Sequence, residues 1–124
     1  SISYVLDVHR DAMITPEGVN LRPISESGGE AAAQIMLVVG TDYAGSGHST
    51  WEKNLSFAIR MQARIAEYDG SLMRAINLRS ASFNEQYTPQ SLLVEVGTAA
   101  NSLAEATRSA RILADAMASL ILGE

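Results

Sequence analysis

Two short apolar runs, each carrying one carboxylate near its C-terminal end, constrain the fold of this 124-residue chain more than any other feature. The first is Tyr4-Val5-Leu6-Asp7-Val8, halted by His9-Arg10-Asp11. The second is Leu92-Leu93-Val94-Glu95-Val96, halted by Gly97. Runs of this kind are the pattern of strands buried on both faces of a largely parallel sheet. In an open α/β sheet the ligand crevice lies beyond the carboxyl ends of the strands. The two runs therefore predict core strands that each deliver an ionisable group to the same edge. Side chains in a strand alternate faces, so Asp7 and His9 are expected on one face.

The segments between and after these runs suggest an α/β order. Residues 12–27 hold Pro16, Gly18 and Pro23 among polar residues and predict a connection, with a short extended piece at Val19 to Leu21. Ser27-Gly28-Gly29 predicts a tight turn. Ala32 to Val39 predicts a buried strand stopped by Gly40. Ser49-Thr50-Trp51-Glu52 has the form of a capping box. It opens a helix whose stripe is Trp51, Leu55, Ala58, Ile59, Ile65 and Ala66, with Gln62 as a polar break. Asp69-Gly70 predicts the end of that helix, with Gly70 in the left-handed position. Ala75 to Leu78 suits a short strand, and Phe83 to Pro89 a polar loop. Ser102-Leu103-Ala104-Glu105 is a second capping box, and the stripe behind it is Leu103, Ala106, Ala110, Leu113, Ala114, Met117 and Ile121. Strand, strand, helix, strand, helix predicts one α/β domain, a mostly parallel sheet between helices.

Composition excludes several classes of chemistry. The absence of cysteine rules out disulfide scaffolds, thiolate zinc sites and cysteine nucleophiles. A formal charge of -5 with no basic cluster argues against nucleic acid as the ligand. No stretch approaches the roughly 18 to 20 apolar residues of a membrane span. The loop Gly40 to Gly47, GTDYAGSG, lacks the Lys-Ser/Thr ending of a Walker motif, so nucleotide binding is rejected there. No Gly-x-Ser-x-Gly elbow occurs.

His9, Glu95 and His48 are the candidate site residues. A strand-end histidine is most often structural, but Asp7, Arg10 and Asp11 crowd the same segment. A metal-bound imidazole generally donates its second ring N–H to such a carboxylate. Glu95, inside an apolar strand, must pair with a cation or be held with a raised pKa. Two readings stay open: an ion pair with Arg10 or Arg74, or a general acid–base. His48, in a glycine-containing loop before a helix, is a candidate substrate contact, with solvent exposure as the plainer alternative. Trp51 is expected to pack in the core.

The segments LDVHRDA, IMLVVGT, WEKNLSFAIRMQARI, LMRAINL and FNEQYTPQSLLVEVGTAANSLAEATRSARILADAMA occur together and in this order. In that combination the chain resembles the stage II sporulation protein P family, peptidoglycan hydrolases related in fold to zinc N-acetylmuramoyl-L-alanine amidases. The resemblance implies an amidase-like fold, with residues 1–124 as the C-terminal part of one catalytic domain and its first strands absent from the chain. It implies a zinc cofactor with His9 as one metal ligand, and Glu95 as the catalytic residue. Glu95 would act on the amide between N-acetylmuramic acid and L-alanine, with peptide cross-links as a second target. Asp7, Arg10 and His48 are candidates for substrate binding or orientation from their place in the sequence, since the resemblance carries no ligand role over to His48. Phe83-Asn84-Glu85 stands where the family pattern suggests Tyr-Asn-Gln, so the resemblance assigns that loop no definite substrate role.

The resemblance also implies spore engulfment as the setting, outside the membrane at the engulfing septum. Peptidoglycan is the implied partner, together with a second sporulation glycan hydrolase, and membrane contact only through an anchor not in this chain. One histidine and one glutamate are too few for a catalytic zinc centre. The chain alone is therefore expected to be inactive, and to self-associate or pair with an upstream fragment. The rivals are a wall-binding or scaffolding fragment, and a metal-free hydrolase or transferase using Glu95 with His9.

Overall fold

The structure is a computed structural model that describes residues 1–26, 29–42 and 48–124. Its strands are β1 (Tyr4–Asp11), β2 (Ile24–Ser25), β3 (Ala32–Ala33), β4 (Ile35–Gly40), β5 (Asn77–Arg79) and β6 (Gln90–Thr98). Its helices are α1 (Trp51–Tyr68) and α2 (Leu103–Leu122). The main sheet has the order β1-β6-β4-β5, and β2 pairs with β3 in a small ribbon. β1 with β6 and β4 with β5 are parallel, whereas β4 with β6 is antiparallel. The chain is thus the expected α/β protein with a mostly parallel sheet. The turn predicted at Ser27-Gly28 and most of the 40–47 loop lie outside the described residues.

Both helices cover the same face of this sheet. Ile35, Leu37 and Val39 of β4 and Leu92, Val94 and Val96 of β6 form one core with Phe57, Ala58, Met61 and Ile65 of α1 and Leu113 and Ala116 of α2. The alternate residues Met36, Val38 and Leu93 make a separate small cluster on the other face, capped by Phe83. The expected sheet between helices is therefore, among the described residues, a sheet with helices on one side only, and its other face is left for the site.

β1 departs from the expectation of burial on both faces. Among the described residues it is an edge strand bonded only to β6, with Tyr4 37%, Val5 36% and Val8 58% exposed. Beside it the predicted α2 stripe is largely unburied. Ala110, Ala114, Met117 and Ile121 line an apolar groove of about 450 Å³ with Leu6 and Val8. The face of α2 that packs inward is instead Glu105, Ser109, Leu113 and Ala116. Polar residues go inside because each finds a partner: Ser109 Oγ donates to the Ala33 carbonyl, and Glu105 closes the capping box with Ser102.

The α1 stripe is rotated for the same reason. Asn54 is fully buried, its Nδ2 donating toward the carbonyls of Glu85, Thr88, Pro89 and Ser91, while Ile59 is 54% exposed. The predicted Ser49–Glu52 capping box does not form; the N-cap is Thr50, with no side-chain cap bond. The Trp51 N–H bonds the His48 carbonyl, a turn that starts the helix one residue late. Trp51 is only half-buried. At the other end Asp69 is the C-cap in an extended conformation, and Gly70 is not left-handed. The Asp69 carboxylate instead accepts from the Ser71 N–H and the Ser25 hydroxyl, clamping β2 to the end of α1.

One glycine is required by geometry. Between the pairs His9–Glu95 and Asp11–Thr98, Arg10 faces two residues, Val96 and Gly97. This bulge bends the strand end. Gly97 has φ +70, and a Cβ there would lie 2.6 Å from both the Ala33 Cβ and the Asn101 Oδ1. Gly97→Ala is expected to destabilise the fold by about 3 kcal/mol, through backbone strain and overpacking together. Chemical denaturation of the variant beside wild type measures it, and an unchanged midpoint contradicts this account.

Candidate functional site

The site is built where β1, β6 and β4 run side by side. His9 is in register with Glu95, and Asp7 with Leu93. β4, running the other way, sets Met36 beside Glu95 and Val38 beside Leu93. Register partners share a sheet face. Asp7, His9, Glu95 and Met36 therefore lie together on the helix-free face, near the carboxyl ends of β1 and β6. The shared edge predicted from the two apolar runs is present.

His9 donates from Nε2 to Asp7 Oδ1 at 2.8 Å, and both side chains are about half-exposed. That hydrogen bond raises the imidazole pKa above its ordinary value. Desolvation opposes the rise, and the charges of Asp7 and Glu95 add to it. Glu95 is also raised, first by desolvation and then by the negative charge of Asp11, while His9 and Arg74 pull it down. Its Oε2 is buried with no hydrogen-bond partner. A buried carboxyl oxygen without a hydrogen-bond partner, in a group whose pKa is raised, marks Glu95 as a candidate functional residue.

Arg74 and Asp11 complete the surroundings. Arg74 Nη1 bonds Asp11 Oδ2 at 3.0 Å, and the Arg74 N–H bonds the Ile35 carbonyl beside the start of β4. Of the two cations considered for Glu95, Arg74 is the one whose charge acts on it. Asp11 and Arg74 were not among the site candidates. Asp11 follows His9 closely enough to have been found. Arg74 comes from an irregular stretch, and only its docking against β4 brings it here.

Two candidates are placed elsewhere. Arg10 lies on the strand face opposite His9 and donates to the carbonyls of Thr98 and Asn101, tying β1 to the turn before α2. It is a structural clamp, not a substrate group on the site face. His48 stands just before α1, the helix that covers the sheet face opposite Glu95. The expected solvent exposure is also wrong. His48 is fully buried with neither ring nitrogen hydrogen-bonded, and desolvation lowers its pKa. Its N–H donates to Asp42 Oδ1 at 2.9 Å. The structure does not bring it to the His9–Glu95 site.

The predicted polar loop before β6 contains a residue that sequence reasoning missed. Glu85 opens a single 3₁₀ turn (Glu85–Tyr87) and is 1% exposed. Its two carboxyl oxygens accept from the Gly40 N–H at 2.6 Å and the Leu93 N–H at 2.9 Å, joining β4 to β6. Burial pushes its pKa up to about 7, against the pull of those two N–H groups.

Catalytic zinc sites take three protein ligands and leave one position open. Among the described residues no three His, Cys, Asp or Glu side chains converge in that way. His9 Nε2 is moreover already engaged with Asp7. The described residues do not by themselves fit a zinc centre.

A family model described as Stage II sporulation protein P (SpoIIP) matches residues 1–118. The chain belongs to the stage II sporulation protein P family. Neither the curated proteins nor the solved structures gave a match. Membership of the stage II sporulation protein P family carries a role in sporulation. Among the described residues no helix is long and apolar enough to cross a membrane.

Glu85 generates a prediction about pH. Its pKa is raised in the fold, so the folded state holds the proton to about pH 7 whereas the unfolded chain releases it near 4.5. The stabilising contribution is full below pH 4.5 and is lost as pH rises through about 7, in total on the order of 3 kcal/mol. Glu85→Gln, which cannot ionise, is expected to remove this part of the pH dependence. Denaturation curves for both proteins from pH 4.5 to 8 measure it; parallel curves refute it.

Proposed function

We propose that the protein acts in sporulation as a peptidoglycan hydrolase, cleaving the amide between N-acetylmuramic acid and L-alanine. Glu95 is the general acid–base. The observation that carries the reading is the buried, unpartnered Glu95 Oε2, in register with His9 on the open sheet face. As a water oxygen attacks the amide carbon, the Glu95 carboxylate takes the proton. As the C–N bond breaks, the carboxyl group returns it to the leaving amine of L-alanine. A carboxyl group whose pKa is raised by desolvation holds a proton more readily, which suits a group that must take one up and return it. Asp7 holds the His9 ring in place. His9 is the ligand these residues offer to the zinc ion the family resemblance implies.

The same resemblance supports a location outside the membrane at the engulfing septum, with peptidoglycan as ligand and a second sporulation glycan hydrolase as partner. The open groove between β1 and α2 supports self-association of residues 1–124, or their pairing with an upstream fragment. A second reading, a wall-binding or scaffolding fragment without turnover, is favoured by the lack of three converging metal donors among the described residues.

Glu95→Gln in the natural full-length protein separates the two. Loss of the proton carrier is expected to lower release of stem peptides from purified sacculi by about 10²- to 10⁴-fold while leaving sacculus binding intact. Release at the wild-type rate rejects Glu95 as the acid–base.

A further inference from the structure

Phe83 and Asn84 are consecutive non-glycine residues in the left-handed region, with φ 51 and φ 61. Such conformations are unfavourable for L-residues and persist where the surroundings over-determine them. Here the holding group is Glu85, anchored through its buried carboxyl to Gly40 on β4 and Leu93 on β6. The strained turn has one visible product: it lays the half-buried Phe83 ring over Met36, Val38 and Leu93 on the helix-free face. Met36 belongs to this cluster and is also the register partner of Glu95. An apolar patch with a partly exposed aromatic ring therefore adjoins the carboxyl group that does the chemistry.

The proposed substrate supplies what such a patch would take. The scissile amide joins a lactyl group to L-alanine, so a methyl group flanks it on each side. Met36 is the cross-strand neighbour of Glu95, so a substrate whose amide carbon meets Glu95 lies beside the patch that Phe83 caps. We infer that Phe83, with Met36, forms an apolar subsite for the L-alanine methyl, making Phe83 a specificity-determining residue of the Glu95 site. The inference rests on the hydrolase reading.

The test compares soluble muramoyl peptides bearing L-alanine or glycine as first residue, using the full-length protein, Phe83→Ala and Phe83→Leu. A methyl in an apolar pocket is worth roughly tenfold or more in kcat/KM. Wild type is expected to prefer alanine by about that factor. Phe83→Ala should bring the ratio to within about twofold of unity, and Phe83→Leu should keep most of it. Because the ratio is internal to each protein, partial unfolding cancels. A wild type without preference, or a preference that survives Phe83→Ala, overturns the subsite while the hydrolase reading stands. Cleavage of neither peptide by wild type overturns both.

Discussion

The parallel register of β1 on β6 is the constraint on which the rest depends. It sets His9 against Glu95, and a slip of one residue would send every side chain of β1 to the other sheet face. The bulge at Val96-Gly97 ends that register just past the pair. From there Arg10 turns to the carbonyls of Thr98 and Asn101, and Asp11 reaches Arg74. Three consecutive residues thus have three different jobs: a site group, a structural clamp and a charge partner. Alternation and one extra residue on the neighbouring strand distribute them.

One-sided helix cover is the second organising fact. With α1 and α2 on one face, the odd residues of β4 and the even residues of β6 bury deeply, and the core needs nothing from the other side. The helix-free face can then carry half-exposed ionisable groups beside a small apolar cluster, which a sheet covered on both faces could not. The cost appears at β1, whose apolar side chains stay partly in water along the groove with α2.

Polar groups inside this protein are positional rather than incidental. Asn54 gathers the carbonyls of the segment entering β6, Glu85 bridges β4 to β6, and Asn101 accepts from the Thr98 N–H at 2.8 Å just past the bulge. Each fixes an irregular piece of backbone that regular pairing cannot satisfy. The strained turn at Phe83 and Asn84 exists inside this framework, which is why it can hold an aromatic ring beside the site.

The sequence by itself determined the α/β class, the two site strands, the second capping box and the delivery of His9 and Glu95 to one edge. Those features rest on local chemistry: apolar runs, alternation, and a serine three residues before a glutamate. The family was legible in the order of its segments. Only the tertiary structure decided that α1 turns Asn54 inward, that Glu85 is buried, that Arg74 reaches Asp11, and that Arg10 and His48 stand away from the site. Each of these turns on a partner distant in the chain, 31 residues for Asn54 with Glu85 and 63 for Arg74 with Asp11. Hydrogen-bond demand at those meetings overrides the hydrophobic stripe. No local pattern encodes which backbone will need satisfying.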